Sequence, residues 1–369
     1  MSTVIIRKAS YDYKALRPVV FEILNSTCGD MVREKKRVII KPNLLAAATP
    51  DKAIVTHPMI IKAAAEYVLE KGAVPQISDS PAVGSFHKIL KESGITDALA
   101  GLNVIYKEFR ESAVIDVGEP FRKIDIAGDA VNCDVLINLA KLKTHTQMML
   151  TLGVKNLFGC IVGMKKPEWH FRTGVDREKF AALLVKNFQA IKPSVTIIDG
   201  ILAMEGEGPG RSGTPRELGV ILGSNDAVAA DITVCRMIGV EPDMLLTNRF
   251  ARKAGLSDGE IIIDGDLPAI RDFRLPEITP LVFGPKRFHG YFRRHLVQRP
   301  VCNDSECRLC GECWKYCPAK AISPAKKKIR FDYDKCIRCY CCAEVCPHGA
   351  LGARETFTGR IARRVMGMR

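Results

Sequence analysis

Cys307-Arg-Leu-Cys310-Gly-Glu-Cys313-Trp-Lys-Tyr-Cys317-Pro318 and Cys336-Ile-Arg-Cys339-Tyr-Cys-Cys342-Ala-Glu-Val-Cys346-Pro347 decide the fold of the carboxy-terminal part of this chain. Each stretch reads C-x2-C-x2-C-x3-C-P. Three thiolates two residues apart wrap one face of a small iron–sulfur cube, and the fourth ligand comes from elsewhere. Zinc ribbons use two separated cysteine pairs instead of a triplet followed by C-x3-C-P. Disulfides belong to secreted chains, and Met1–Arg7 reads as a short strand, not as an export leader. The reading is therefore iron–sulfur.

From about Cys302 to Gly352 the sequence resembles the bacterial two-[4Fe–4S] ferredoxins, in which the fourth cysteine of each run ligates the other run's cluster. That resemblance implies Cys307, Cys310, Cys313 and Cys346 on one cluster, and Cys336, Cys339, Cys342 and Cys317 on the other. The two clusters staple a unit too small to hold much apolar core. Short helices follow the ligands, and Lys328–Asp334 alternates as a hairpin strand. Cys341 and Cys302 stand outside the pattern and read as non-ligating thiols.

The 369 residues carry a formal net charge of +14, which raises the question of nucleic acid. Its distribution answers it. Residues 285–369 hold 19 Lys+Arg and 7 Asp+Glu, a balance of +12, which leaves +2 for the other 284 residues. A basic shell around anionic clusters tunes potential and attracts acidic redox partners; a nucleic-acid role is not expected. Residues 285–300 form a basic-aromatic linker, and 353–369 a basic tail in which Phe357, Ile361, Val365 and Met368 share a face. Both are expected to dock on the large domain, with peripheral membrane contact as the minor alternative. No run approaches the ~20 apolar residues of a membrane span. Free thiols and clusters point to a reducing, cytoplasmic interior.

Residues 1–284 alternate short apolar strands with amphipathic helices, near 57–71, 86–92, 177–191 and 226–238. This pattern predicts an α/β domain with a largely parallel sheet flanked by helices, followed by a small α+β two-cluster domain over 301–352. Ligands of such sheets bind beyond the carboxyl ends of the strands. The strand at 38–40 runs into Lys41-Pro-Asn43, and the next into Asp79-Ser-Pro81. Leu136–Ala140 runs into Lys141-Leu-Lys143-Thr-His145, and Thr196–Ile198 into Asp199-Gly200. With Lys155-Asn156 and the loop holding Glu205 and Glu207, these ends are expected to surround one crevice. Cys28, Cys133, Cys160 and Cys235 read as core thiols.

The strings KPN, DSP, K-x-KTH, GVKN and DGI-x-AMEG-x-GP, in that order over about 37–240, resemble domain of unknown function 362. Members of that family often carry a two-cluster ferredoxin module at the carboxy terminus. The family implies a site but no reaction. The first reading is a ferredoxin-linked oxidoreductase passing electrons between two [4Fe–4S] clusters and a small anionic substrate. Here Lys141, His145 and Asp199 are the expected catalytic groups, and Lys41, Asn43, Asp79, Lys155, Asn156, Glu205 and Glu207 the binding groups. The alternatives are a non-catalytic electron carrier, or a cofactor- or metal-binding maturation protein that uses the clusters as an electron source.

Overall fold

The computed structural model describes residues 1–256, 259–277 and 295–365. The linker residues 285–294 and the tail residues 366–369 lie outside this range. Among the described residues, eleven strands belong to the large domain: β1 Ser2–Lys8, β2 Arg37–Pro42, β3 Val74–Ile77, β4 Ile105–Tyr106, β5 Ser112–Gly118, β6 Arg122–Ala127, β7 Val135–His145, β8 Met149–Thr151, β9 Val195–Gly206, β10 Gly213–Ser224 and β11 Ile261–Asp264. Nine of the described strands make one sheet in the order β11-β1-β10-β9-β7-β2-β3-β4, with β8 paired to β7. Strands β4, β3, β2, β7 and β9 are parallel neighbours, and β10 adds antiparallel to both β9 and β1. β5 and β6 form a separate hairpin.

The sheet is buried on both faces, which is why its central strands read as apolar runs and not as alternation. Helix Pro58–Glu70 links β2 to β3 and buries Ile60, Ile61, Ala64, Tyr67 and Val68. His57 caps it by accepting from the Met59 amide at 3.3 Å. Helix Arg177–Ile191 links β8 to β9, capped by Asp176, which accepts from the Lys179 amide at 2.9 Å. Helix Ala227–Met237 begins after Asp226, which accepts from the amides of Val228 and Ala229. These caps satisfy amide groups that a helix start leaves without partners.

Two expectations change. β7 and β9 are longer than the apolar cores at 135–139 and 195–198 suggest. The K-x-KTH string is the carboxyl half of a fully buried strand, not a loop after it. A helix outside the expected set, Lys165–Thr173, lies between β8 and Arg177.

The cysteine-rich unit is closed by antiparallel pairing of Arg299–Cys302 with Leu351–Arg354, and its hairpin pairs Ile322–Ala325 with Lys328–Phe331. Each cysteine run carries a one-turn helix, Glu312–Lys315 and Cys341–Glu344. The tail helix spans Phe357–Val365, and Phe357 (76% exposed) and Ile361 (49%) at its start are not covered by the described residues. Among the described residues no helix is long and apolar enough to cross a membrane.

Candidate functional site

From β2 the chain moves outward to β3 and β4, then returns to place β7 on the other side of β2 and moves on to β9. The order reverses between β2 and β7, and a crevice opens beyond their carboxyl ends, where such sheets bind ligands. Lys41 and Asn43 leave β2 there, Asp79 follows β3, and Lys143 and His145 end β7.

Lys41 is fully buried, with Nζ 3.0 Å from Asp79 Oδ1. Asp79 also accepts from the amides of Leu44 and Ser80, both at 2.9 Å. The pair leaves no room above it: a Cβ on Gly159 would lie 2.2 Å from Asp79 Oδ1 and 2.6 Å from Lys41 Nζ. Asn43 donates to Asn156 Oδ1 at 2.9 Å and accepts from Lys143 Nζ at 2.8 Å. Lys143 also donates to the Ile54 carbonyl at 2.7 Å. Burial among these uncharged acceptors drives its ammonium well below the usual lysine range.

Lys155 and Asn156 sit on the one-turn helix Gly153–Asn156. Buried Asp231 fixes that turn by accepting from the amides of Gly153 (2.7 Å) and Val154 (3.1 Å). Asn156 is locked in turn by donating to Asn138 Oδ1 at 2.8 Å.

A cavity of about 90 Å³ fills the crevice, room for several waters or a small organic molecule. Asn43, Asp79, Lys143, His145, Lys155, Asn156, Lys166 and His170 line it from the large domain. Its remaining wall comes from the cysteine-rich unit: Tyr316, Cys341, Glu344 and Val345. His145 Nδ1 accepts from the backbone amides of Gln147 and Met148, so the ring proton sits on Nε2. That nitrogen lies 3.1 Å from Glu344 Oε1 without the alignment of a hydrogen bond, and both atoms keep unused capacity. Lys166 Nζ, His170 Nδ1 and Thr151 Oγ1 are also buried without a partner.

Burial, reinforced by Lys155, pushes His145 down to about 4, and burial pushes His170 down to about 3. Both are neutral near pH 7. Burial also lowers Lys166 to about 8 and lowers Lys155, against the pull of Glu344. Burial alone would raise Glu344, but positive charge on His145, present only when that ring is protonated, and on Lys155 lowers it. The cavity is thus cationic on the large-domain side, with one carboxylate in its lid.

The ten large-domain positions expected around one crevice divide. Lys41, Asn43, Asp79, His145, Lys155 and Asn156 converge there, all but Lys41 in the lining. Lys141 and Asp199 instead form a closed pair at 2.8 Å, both fully buried. Tyr11 donates to Asp199 Oδ1 at 2.7 Å and the His57 amide to Oδ2 at 3.0 Å. The β7–β9 register shifts between Lys141, opposite Asp199, and Lys143, opposite Met204; the two lysines part company at that shift. Glu205 is gripped by Arg216 (2.8 Å) and Arg274 (2.7 Å), and Glu207 accepts from the Glu277 amide; neither lines the cavity. Sequence reasoning missed Lys166, His170, Gly159 and Asp231. Only Lys143, inside the K-x-KTH string, carried a signal.

The cysteines form two groups of four. Cys307, Cys310, Cys313 and Cys346 line one small cavity, and the nearest thiols to Cys313 are those same three. Cys317 neighbours Cys339 and Cys336, and Cys342 neighbours those three and also Cys313 of the first group. Cys317 Sγ accepts from the Ala321 amide at 3.2 Å, which favours a thiolate. Four soft donors around a cavity fit an iron–sulfur cluster. Cys160, in contrast, is pushed up to about 12 by burial, which suits an inert core thiol.

The Domain of unknown function (DUF362) family matches residues 38–236, and a 4Fe-4S binding domain matches residues 329–352. The thylakoid-associated protein sll1697 of Synechocystis is 33% identical over 306 residues, 80% of this chain and 95% of that protein. The pyruvate synthase subunit PorD of Thermotoga maritima is 41% identical over 59 residues, 16% of this chain and 60% of that subunit. Among solved structures, the lactate racemase apoprotein of Thermoanaerobacterium thermosaccharolyticum aligns at a TM-score of 0.40 and 12% identity, over 62% of this chain and 55% of that one.

Proposed function

The chain belongs to the DUF362 family and carries a 4Fe–4S binding domain, and from that premise we propose that it is a ferredoxin-linked oxidoreductase. In this reading two [4Fe–4S] clusters exchange electrons with a small anionic substrate in the crevice. One observation carries it: the cavity that gathers Lys143, His145, Lys155 and Lys166 is walled on its other side by Tyr316, Cys341, Glu344 and Val345 from between and beside the cluster cysteines. Cys307, Cys310, Cys313 and Cys346 hold one cluster, and Cys317, Cys336, Cys339 and Cys342 the other. Bound there, each cluster supplies or accepts electrons one at a time.

The remaining work falls to side chains. Lys155 and Lys166 neutralise the bound anion, and in a cavity shut off from bulk water that attraction is far stronger than at a surface. Asn43 and Asn156, tied to each other and to Lys143 and Asn138, fix the floor on which the anion lies. His145, neutral and with its ring proton on Nε2, presents that N–H to the cavity and is placed to donate a hydrogen bond to the substrate as it gains charge. Glu344 shuts the cavity on the side of the cysteine-rich unit.

The test uses full-length protein purified without oxygen. Eight iron and eight sulfide per chain are expected for two clusters. The reduced protein is then mixed with a panel of small carboxylate and oxoanion oxidants. One chemical class should accelerate reoxidation, and Lys155→Met should abolish that acceleration while iron content stays unchanged. Stoichiometric anion retention with no acceleration by any member of the panel would replace this reading with a binding or maturation role.

A further inference from the structure

The two cysteine runs are copies of one loop that the fold uses differently. Leu309 and Arg338 each precede the second cysteine, and both adopt positive φ, 50° and 59°. Gly311 and Tyr340 follow that cysteine, again at positive φ, 95° and 58°. The backbones match, but the surroundings do not. In the second run Arg338 is 1% exposed, Tyr340 3% and Cys341 7%. Tyr340 neighbours Arg177 of the large domain, and a Cβ on Gly210 of the β9–β10 loop would lie 3.4 Å from the Glu344 carbonyl oxygen. In the first run Arg308 and Cys310 are exposed, and Leu309 is 37% exposed.

Substitutions between the copies track this difference. Gly311, Glu312 and Lys315 in the outer run stand where Tyr340, Cys341 and Glu344 of the inner run meet the large domain. Of the residues that wall the large-domain cavity, Tyr316 lies beside Cys317 and Cys341 beside Cys342, both of the inner group, while Glu344 and Val345 lead from Cys342 to Cys346 of the outer group.

We propose that the outer run is the docking surface for an acidic redox protein, so that electrons cross the module between that surface and the inner, cavity-facing cysteines. The charge around the outer group supports this choice of partner. Ile329 lines the outer cysteine cavity, and Lys328 and Arg330 on either side of it in the strand point outward and are exposed. Arg308 also lines that cavity and is exposed, and Lys315 is exposed with Glu312 at 3.7 Å; Asp304 and Glu306 are the acidic residues upstream. Complementary charge of this kind raises association rates, and salt removes the effect. The inference rests on the two-cluster reading above but not on the identity of the crevice ligand.

The experiment is stopped-flow reduction of the full-length protein by reduced flavodoxin, used as a small acidic donor. Arg308→Glu/Lys328→Glu/Arg330→Glu should lower the second-order rate constant at low salt at least tenfold, and the wild-type rate should fall as salt rises. Lys35→Glu, an exposed charge next to the amino-terminal end of β2, should leave the rate unchanged. Iron content and the extent of reduction by excess dithionite should be the same in all forms. An equal loss in Lys35→Glu, an unchanged rate in the triple variant, or a salt-independent wild-type rate overturns the docking surface. Concentration-dependent self-association that the triple variant abolishes overturns it in favour of a second copy. Iron far below eight per chain in the wild type sinks the two-cluster reading instead.

Discussion

His145, the last residue of strand β7, faces Glu344, which lies between two cluster cysteines, at 3.1 Å across the boundary of the two units. Lys155 stands beside them and holds the carboxylate charged. Removing Lys155 leaves the buried carboxylate without a positive charge that favours its ionised form, which is destabilising. Lys155→Met should therefore lower the melting temperature, and Lys155→Met/Glu344→Gln should recover much of the loss. A double-mutant cycle by calorimetry checks this, with additive losses as the contrary result.

Lys166 has the opposite signature, a buried ammonium with no hydrogen-bond partner among the described residues. In the folded protein it titrates near 8, against 10.5 for an ordinary lysine. Between these values the unfolded chain binds the proton and the folded chain does not, so stability rises with pH across that window. Below pH 8 the buried charge is a penalty, at most about 3 kcal/mol. Lys166→Met should thus stabilise the ligand-free protein at pH 7, and the gain should fade between pH 8 and 10.5. Denaturant midpoints at three pH values decide it. A variant less stable than wild type at pH 7 would show that Lys166 has a partner in solution.

Lys141 and Asp199 stand among the expected catalytic groups, yet their carboxylate and ammonium are already satisfied by each other, by Tyr11 and by the His57 amide. Lys141→Met should destabilise by about 3–5 kcal/mol, because Asp199 is then buried and uncompensated. Lys141→Met/Asp199→Leu should regain most of that. Full stability in Lys141→Met, with only turnover lost, would return the pair to a direct chemical role.

Much of the crevice was legible because strands carry their ligand groups at their carboxyl ends. The KPN, DSP and GVKN strings supplied Asn43, Asp79, Lys155 and Asn156 for that reason. The sequence could not say which lysine of K-x-KTH faces the cavity, since the β7–β9 register shift decides between Lys141 and Lys143. Lys166 and His170 lie on helix Lys165–Thr173, whose polar run hides its buried face. The lid was illegible for another reason. Cys341 and Glu344 meet the crevice only through packing between units far apart in sequence, and no local pattern encodes that.

Asp231 shows how far support for the site extends beyond its lining. Its carboxylate accepts the two amides that begin the Lys155 turn, and a Cβ on Gly153 would lie 3.0 Å from Asp231 Oδ1 and 2.7 Å from Thr196 Cγ2. Asp231→Ala leaves two buried amides without acceptors, a loss of about 2–4 kcal/mol, and frees the turn to shift Lys155. Both a lower melting temperature and weaker anion binding by calorimetry are expected, with iron content intact.

Gly159 offers the sharpest steric test. Any Cβ there overlaps the Lys41–Asp79 pair at 2.2 and 2.6 Å, distances that real Cβ contacts do not reach. Neither partner can retreat, since Lys41 is fully buried and also donates to the Pro42 carbonyl, while Asp79 holds the Leu44 and Ser80 amides. Gly159→Ala should therefore break the ion pair or displace the loop, and cost more than the 1–3 kcal/mol typical of an overpacked core, because charge is unpaired as well. Asp79→Asn in the Gly159→Ala background should make little further difference if the pair is already broken. An additional large loss on adding Asp79→Asn would show that the loop moved instead and that the Lys41–Asp79 pair survived.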